Sequence, residues 1–279
     1  MICERMTCER MIRGRMIGML DLREISGLPM NLDGLVIRFS GDLPEVRPSV
    51  RRLADMREVL YNQTAGGAED LYFMYRDVAL PEHRQFADRF SIRYDITVIR
   101  PGKIGGEYVK TAGHYHPRVP GEEMRYPEVY EVLNGRAHYI MQRAGACEGA
   151  VDDVIVVEAM PGDKVIVPPD YGHVTVNAGE EPLVMANCVA SVFESEYEAY
   201  KKAHGAAYYE VENEGRDVFV PNDHYRGKPA PRMVEPVDLP ALGLHRGLPL
   251  YRCFTGEPDR FGFLVRPQDW SSRLGELYS

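Results

Sequence analysis

Apolar and β-branched residues recur along the chain in short runs that fit strands better than helices. Alternation of this kind fills 71–78 and 91–100, and further runs cover 107–116 and 128–141. Turn signals such as Pro-Gly and Asn-Gly punctuate this region. The shorter predicted strands lie at 154–158, 164–167, 174–177, 183–189 and 207–211. Closely spaced short strands predict an antiparallel sandwich or barrel.

Two stretches have the spacing of helices. In 48–60 the apolar residues fall on one helical face after Pro48-Ser49, and 194–204 is the second such stretch. The sequence therefore predicts a mainly β domain with short flanking helices.

The composition and residue pattern change towards both ends, which divides the chain into three regions. Residues 1–34 include a repeated Cys-Glu-Arg-Met, and we interpret them as an N-terminal arm or as the product of a start codon assigned too far upstream. The strand pattern of residues 35–215 predicts one β domain. Prolines crowd residues 216–279, which we interpret as an irregular C-terminal extension packed on the barrel or on a partner subunit, with Trp270 as an anchor.

Composition excludes several classes of protein. No run is long enough for a membrane span, and the net charge of −9 disfavours nucleic acid as a partner. The five cysteines are scattered and suggest no disulfide framework, which favours a cytoplasmic location. Residues 100–118 carry a local net charge of +3, so this stretch either attracts a small anion or is a solvated loop.

Candidate chemistry centres on two histidines in one predicted strand. Because side chains alternate along a strand, His114 and His116 project to the same side. Glu128 opens the next strand, and His173 follows a later one after a Pro-rich turn. Three imidazoles and one carboxylate suit a first-row transition metal with coordination positions left open for substrate.

The spacing of these residues matches the two motifs of the cupins. Glu128 is followed after six residues by Gly135, whereas Glu122 and Glu123 have no glycine at that distance. The second motif is complete in Gly162, Pro168, His173 and Asn177. We therefore expect a cupin barrel, that is, a double-stranded β-helix or jelly roll, with an expanded loop between His116 and Glu128.

Beyond these motifs the chain resembles the archaeal cupin-type glucose-6-phosphate isomerases over about residues 35–215. The shared words are Val50-Arg51-Arg52-Leu53-Ala54-Asp55-Met56, Thr97 to Lys103 (TVIRPGK), Thr111-Ala112-Gly113-His114-Tyr115-His116, Glu128-Val129-Tyr130, and Val167-Pro168-Pro169 through His173 to Val176-Asn177. General cupins share the ligands but not TVIRPGK or the Thr-x-Gly that precedes the histidines.

The resemblance implies a site, a cofactor and an assembly. It implies one divalent transition metal per subunit, with iron favoured and manganese, nickel or zinc left open. The metal ligands would be His114, His116, Glu128 and His173. The implied substrate contacts are Thr97, Thr111, Gly113 and Tyr197, and the implied catalytic residues are Glu128 and Tyr130. It also implies a homodimer that acts on a sugar phosphate.

The implied activity is the interconversion of glucose 6-phosphate and fructose 6-phosphate. In an enediol route Glu128 would be the base and Tyr130 would shuttle or position a proton, whereas a hydride shift needs no base. Three other functions remain open at this point: a cupin dioxygenase that uses Fe(II) and O₂, an isomerase of another sugar phosphate, and a sugar-binding regulatory cupin without catalysis.

Overall fold

The computed structural model of the protein describes residues 11–12, 15–16, 18–274 and 277–278. In this part of the chain the strands are β1 (Met11–Ile12), β2 (Arg15–Met16), β3 (Leu20–Asp21), β4 (Met30–Asp33), β5 (Val36–Phe39), β6 (Ser49–Arg52), β7 (Asp70–Tyr75), β8 (Ile92–Ile99), β9 (Lys103–Ile104), β10 (Glu107–Tyr108), β11 (Glu128–Asn134), β12 (Ala137–Ala144), β13 (Val151–Ala159), β14 (Lys164–Val167), β15 (Tyr171–Asn177), β16 (Leu183–Ala190), β17 (Tyr208–Asn213), β18 (Arg216–Pro221) and β19 (Arg232–Val234).

The helices between these strands are short. The α-helices are α1 (Arg23–Ser26), α2 (Leu53–Met56), α3 (Arg84–Phe90), α4 (Glu198–Lys202), α5 (Leu250–Gly256) and α6 (Ser271–Leu274). Turns of 3-10 helix lie at Arg57–Val59, Pro81–His83, Pro240–Leu242, Pro258–Leu264 and Pro267–Trp270.

Two sheets form the barrel. The larger has the strand order β14-β11-β16-β8-β7-β6 and the smaller β15-β12-β13-β19, so the chain crosses repeatedly between them. Their inner faces are in contact, since the Tyr139 hydroxyl on β12 lies 3.7 Å from the Met185 sulfur on β16. The rings of Tyr130 and Tyr139 are 5.1 Å apart across the same space. This arrangement is the jelly roll of a cupin, and it confirms the predicted fold class.

A small sheet of β3, β4 and β5 packs against the barrel before the main sheets begin. Leu22, Met30 and Ile37 are buried there, and the Ile37 N–H donates a hydrogen bond to the Tyr75 hydroxyl at 3.0 Å. Strands β4 and β5 pair across the boundary predicted after residue 34. Of the predicted arm, residues 1–10, 13–14 and 17 lie outside the described part of the chain.

The C-terminal region packs on the outer face of its own six-stranded sheet. The Tyr251 ring lies 5.2 Å from that of Tyr94, and Phe254 lies 6.4 Å from Phe86. Strand β18 pairs with β17 across the boundary predicted at residue 215, and α5 adds further regular structure. The extension is therefore more regular than expected, and the division into three regions stays a prediction.

A buried contact between a carboxyl group and an ammonium group attaches this extension to the barrel. Glu131 lies on the outer side of β11, and its carboxylate is 2.9 Å from the Lys164 ammonium. The other carboxylate oxygen accepts the Leu250 N–H at 2.7 Å, and Lys164 donates to the His245 carbonyl. Because both side chains are shielded from water, each depends on the other and on the extension for its polar contacts.

Four predicted elements differ from the structure. The single run predicted at 128–141 is two strands, β11 and β12. Within 48–60, residues 49–52 form edge strand β6. Helix α2 begins only at Leu53, and the Arg52 N–H just before it donates a hydrogen bond to the Asp55 carboxylate at 2.9 Å. The helix predicted for 194–204 is confined to Glu198–Lys202. The strand predicted for 107–116 ends at Tyr108, and the rest makes single bridges. Local spacing favoured regular elements, but backbone pairing with the barrel decided the outcome.

The described cysteines Cys147, Cys188 and Cys253 are free, whereas Cys3 and Cys8 lie outside the described residues. Among the described helices, none combines the length and apolar character that crossing a membrane requires.

We expect stability to decrease as pH rises from about 5 to about 7.5, because burial raises the pKa of Glu131 from 4.5 to about 7. In this window the folded protein keeps a proton that the unfolded chain has released, so rising pH favours unfolding. Replacing Glu131 by Gln keeps an acceptor for the Leu250 N–H and should remove on the order of 2–3 kcal/mol of this dependence. Denaturant unfolding across that pH range measures the change.

The matched control is Glu235→Gln, because Glu235 is exposed. Its pH dependence should follow that of the wild type. Equal slopes for the wild type and Glu131→Gln would show that Glu131 does not hold its proton in the folded state.

Candidate metal centre

Three histidines and one glutamate converge between the two sheets. The ligand atoms of His114, His116, Glu128 and His173 all lie within 4.8 Å of one another. The Nε2 atoms of His114 and His116 are 3.2 Å apart. One Glu128 oxygen lies 3.4 Å from Nε2 of His116 and 3.3 Å from that of His173. These four residues are called the His–Glu cluster below.

The backbone explains how His114 and His116 reach the same side outside a regular strand. His114 exchanges backbone hydrogen bonds with His173 at 3.2 and 3.0 Å, which joins the segment to β15. Gly113 just before it has a φ of +77°, and a Cβ there would lie 2.5 Å from Tyr200 and Val174. Only glycine fits this close approach, so Gly113 fixes the position at which the histidines enter the barrel.

Glu128 is held by donors from neighbouring strands. The Asn187 side chain donates to one carboxylate oxygen at 2.6 Å, and the Tyr130 hydroxyl donates to the other at 2.8 Å. The same hydroxyl lies 2.9 Å from Nε2 of His173. Glu128 is only 4% exposed, so these contacts replace the hydration that the carboxylate loses.

The protonation states of the His–Glu cluster favour binding of a cation. Burial lowers the pKa of His114 well below its usual range, and it also lowers that of His173. Burial alone would raise the pKa of Glu128, but His116 and His173 outweigh it and hold that pKa well below its usual range. Burial, reinforced by Glu128, raises the pKa of Tyr130 well above 10, so the phenol keeps its proton.

The donor set fits a divalent transition metal. Nδ1 of His116 lies 2.9 Å from the Tyr126 carbonyl, which can only accept, so Nδ1 carries the proton and Nε2 presents its lone pair to the cluster. Neutral imidazoles with one carboxylate are the ligand types that iron, manganese, nickel and zinc bind. Nδ1 of His173 is buried and has no hydrogen-bond partner among the described residues.

The comparisons with known proteins identify the family. A model of the family described as glucose-6-phosphate isomerase (GPI) matches residues 50–227. The chain belongs to the glucose-6-phosphate isomerase family. This confirms the resemblance seen in the sequence.

Family relatives include archaeal proteins named glucose-6-phosphate isomerase. That of Thermococcus litoralis is 30% identical over 148 residues, which cover 52% of this chain and 70% of the relative. That of Thermococcus kodakarensis is 27% identical over 192 residues, which cover 67% and 92%. A relative named putative glucose-6-phosphate isomerase 2, from Rhizobium meliloti, is 31% identical over 131 residues, or 46% and 60%.

Similar solved structures include oxalate decarboxylases. The Bacillus subtilis enzyme gives a TM-score of 0.32 at 20% identity, over 47% of this chain and 28% of that chain. A predicted oxalate decarboxylase from Thermotoga maritima gives 0.31 at 17% identity, over 52% and 91%.

The other acidic residues of the first motif region lie away from the cluster. Glu123 is 92% exposed and pairs with Arg118 at 2.5 Å within the expanded loop. Glu122 is also exposed. The carboxylate nearest to the histidines is therefore that of Glu128, the residue that the spacing selected.

A cavity of about 50 Å³ adjoins the His–Glu cluster and includes three of the four residues predicted to contact substrate. These are Thr97, Thr111 and Tyr197. The Thr111 hydroxyl accepts the Thr175 N–H at 2.9 Å, so it also holds the extended segment on β15. Gly113 is not among the residues that line the cavity. The roles of all four in substrate binding stay predictions.

The local positive charge of residues 100–118 does not face this cavity. Lys110 is buried against Glu107 at 2.9 Å, and Lys103 pairs with Glu212. Arg118 pairs with Glu123, and Arg100 donates to the Asp70 carbonyl at 2.7 Å. Each of these cations has a partner away from the cavity, and attraction of an anion by this stretch stays a prediction.

Two arginines that the sequence analysis did not select, Arg76 and Arg93, line the cavity. A third, Arg51, lies next to two tyrosines of the cavity lining. Arg51 lies over the rings of Tyr72 and Tyr197 at 6.0 and 5.6 Å. Its Nε is buried without a hydrogen-bond partner among the described residues. Arg51 lies in the segment 50–56 that the chain shares with the family. Nothing in the sequence pattern distinguishes Arg76 and Arg93 from surface arginines.

Replacing Glu128 by Gln should strongly reduce metal binding, because a neutral amide substitutes for the single anionic ligand. We expect affinity to fall by more than the roughly 10- to 100-fold that follows loss of an outer hydrogen-bond partner. Metal per chain after loading and dialysis, measured by mass spectrometry, checks this. Glu123→Gln is the matched control and should retain the wild-type metal content; a Glu128→Gln protein that stays fully loaded would contradict the assignment.

Proposed function

We propose that the protein interconverts glucose 6-phosphate and fructose 6-phosphate with one divalent transition metal per subunit held by the His–Glu cluster. The observation that carries this proposal is the match to the isomerase family over residues 50–227, a range that contains the complete cluster. The residues that would hold the metal are His114, His116, Glu128 and His173.

The reaction moves a hydrogen between C1 and C2 of the sugar. A divalent metal supplies Lewis acidity that polarises the neighbouring carbonyl and hydroxyl oxygens of such a substrate. Glu128 is the one carboxylate of the His–Glu cluster and can accept the proton. Tyr130 touches Glu128 at 2.8 Å and remains protonated, so it can return or position a proton.

The contact between Tyr130 and Glu128 favours the enediol route over a hydride shift, because only the enediol route uses a base. Incorporation of deuterium from D₂O into the product tests this choice. Solvent deuterium at C1 or C2 supports the base, whereas complete retention of the substrate hydrogen supports a hydride shift.

The phosphate is proposed to lie beside Arg51, with the hydroxyls of Thr97, Thr111 and Tyr197 as further donors. Arg51 provides the positive charge, and its Nε has an unused hydrogen to donate. A guanidinium is well suited to phosphate because its N–H groups match two phosphate oxygens. Gly113 serves this site by setting the path of the adjacent chain.

The volume of the cavity is smaller than that of most small-molecule sites, which typically enclose about 300–1,000 Å³. At about 50 Å³ it cannot hold a sugar phosphate without movement of its walls. Tyr197 and Ser195 line it from the segment between β16 and α4, where Glu196 exchanges backbone hydrogen bonds with Tyr115 at 3.0 and 2.8 Å. We propose that the side chains of Tyr197 and Ser195 move aside when substrate enters.

Iron as the native metal, a homodimer and a cytoplasmic location complete the proposal. The three-histidine, one-glutamate donor set suits Fe(II), although availability decides among similar metals. Free Cys147, Cys188 and Cys253 agree with a reducing compartment. The homodimer is proposed from the family resemblance.

A coupled assay of the purified, metal-loaded protein on fructose 6-phosphate tests the function directly. Formation of glucose 6-phosphate supports the proposal. Sugar-phosphate binding without turnover would instead support a regulatory cupin, and metal-dependent consumption of O₂ would support a dioxygenase.

Replacing Arg51 by Met should raise the KM for fructose 6-phosphate about 10- to 150-fold with little change in kcat. This range corresponds to the loss of one charged hydrogen bond, worth roughly 1.5–3 kcal/mol. Steady-state kinetics on the loaded enzyme measure both constants. The control is Arg52→Met, because Arg52 is 60% exposed and pairs with Asp70 outside the cavity; equal KM values for the two variants would remove Arg51 from the phosphate site.

A further inference from the structure

Two arginines share one buried carboxylate beside the His–Glu cluster. Asp95 is completely buried, and one of its oxygens accepts Arg76 at 2.6 Å and Arg93 at 2.8 Å. Its other oxygen accepts the Asp77 N–H at 2.9 Å. Both arginines line the cavity, and their side chains remain 45% and 22% exposed.

Strand register places this group at the metal end of the cavity. Asp95 pairs with Asn187 across β8 and β16, and Asn187 pairs with Tyr130 across β16 and β11. Paired residues of neighbouring strands face the same side, so these three side chains form one row across the inner face. Asn187 then donates directly to Glu128 at 2.6 Å.

Arg51 lies at a different level of the same sheet. It pairs with Tyr72 on β7, and Tyr72 pairs with Ile99, four residues beyond Asp95 on β8. Four residues of strand span about 13 Å. Arg51 is therefore one cationic locus, beside the lining residues Tyr72 and Tyr197. Arg76 and Arg93, bound to Asp95, form a second one that lines the cavity at the level of the His–Glu cluster.

The second locus carries more positive charge than its own carboxylate needs. One guanidinium would neutralise Asp95, but two are bound to it, which leaves a formal charge of +1. Burial alone would lower the pKa of Arg76, but Asp95 and, further away, Glu128 raise it above its usual range, so the guanidinium stays charged. Both arginine side chains that carry this charge line the cavity.

We propose that Arg76 and Arg93, fixed by Asp95, supply one uncompensated positive charge that stabilises negative charge on whatever ligand occupies the metal end of the cavity. For the reaction, this role rests on the proposed isomerase function. A sugar phosphate carries its permanent charge at the phosphate, whereas negative charge develops at C1 and C2 only as the hydrogen moves. The locus should therefore raise kcat, while Arg51 lowers KM.

A series of variants changes the charge of the locus in single steps. Arg76→Met and Arg93→Met each leave it neutral, the double variant leaves it at −1, and adding Asp95→Asn to the double variant makes it neutral again. Arg76→Lys keeps the original charge. Arg143→Met is the control, because Arg143 is exposed and lies over Tyr171, outside the cavity.

Two measurements are made on each cobalt-loaded protein: the dissociation constant of azide, followed by the visible cobalt spectrum, and the steady-state constants for fructose 6-phosphate. Each lost positive charge should weaken azide binding and lower kcat by about tenfold, the size expected for a unit charge several ångströms away in a partly shielded site. KM should change less than kcat. Melting temperature and metal content identify any variant that fails to fold.

The triple variant separates charge from structure. The proposal predicts that it binds azide more tightly than the double variant and matches the single variants, although it has lost more hydrogen bonds. A steady decline from single to double to triple, or azide affinity that does not follow charge, overturns the proposal. If azide follows charge but no protein in the series isomerises the sugar phosphate, the cationic locus stands and the proposed isomerase function fails.

Discussion

Burial of the Glu128 carboxylate inside an apolar barrel is the constraint on which the site depends. A carboxylate removed from water is tolerated only when donors and cations replace its hydration. Asn187 and Tyr130 supply hydrogen bonds from the same sheet, and His116 and His173 supply ring nitrogens from the opposite side. A bound divalent metal would complete this compensation, because three neutral imidazoles alone leave the carboxylate charge unbalanced.

Buried contacts between carboxyl and ammonium groups also attach peripheral segments to the barrel outside the cavity. Glu131 and Lys164 hold the C-terminal extension through the Leu250 N–H and the His245 carbonyl. Glu107 and Lys110 hold the segment after α2, since Glu107 accepts the Tyr61 N–H and Lys110 donates to the Val59 carbonyl. Breaking such a pair leaves an unpaired buried charge, so these contacts specify where each segment docks.

The sequence was most informative where side-chain spacing and chemistry acted together. The separation of Glu128 from Gly135 distinguished it from Glu122 and Glu123, and the structure places Glu128 alone of the three beside the histidines. Strand alternation also placed His114 and His116 on one side, even though the regular strand ends at Tyr108.

Features that depend on contacts between residues far apart in the sequence could not be predicted from local spacing. The helical spacing of 48–60 was real, but β7 offers hydrogen bonds to residues 49–52 that a helix prediction does not include. Lys103 contributes to a local positive charge, yet it pairs with Glu212, which is distant in sequence. Arg76 and Arg93 are separated in sequence, and only the register of β7 and β8 brings them to the same carboxylate.

We propose that the His–Glu cluster acts through a single bound metal. The most direct measurement is isomerase turnover of chelator-stripped protein as a divalent transition metal is added back in measured amounts. We expect negligible turnover without metal, a linear rise as metal is added, and a plateau at one metal per chain. Full turnover after complete removal of metal, or a plateau at a different stoichiometry, would contradict it.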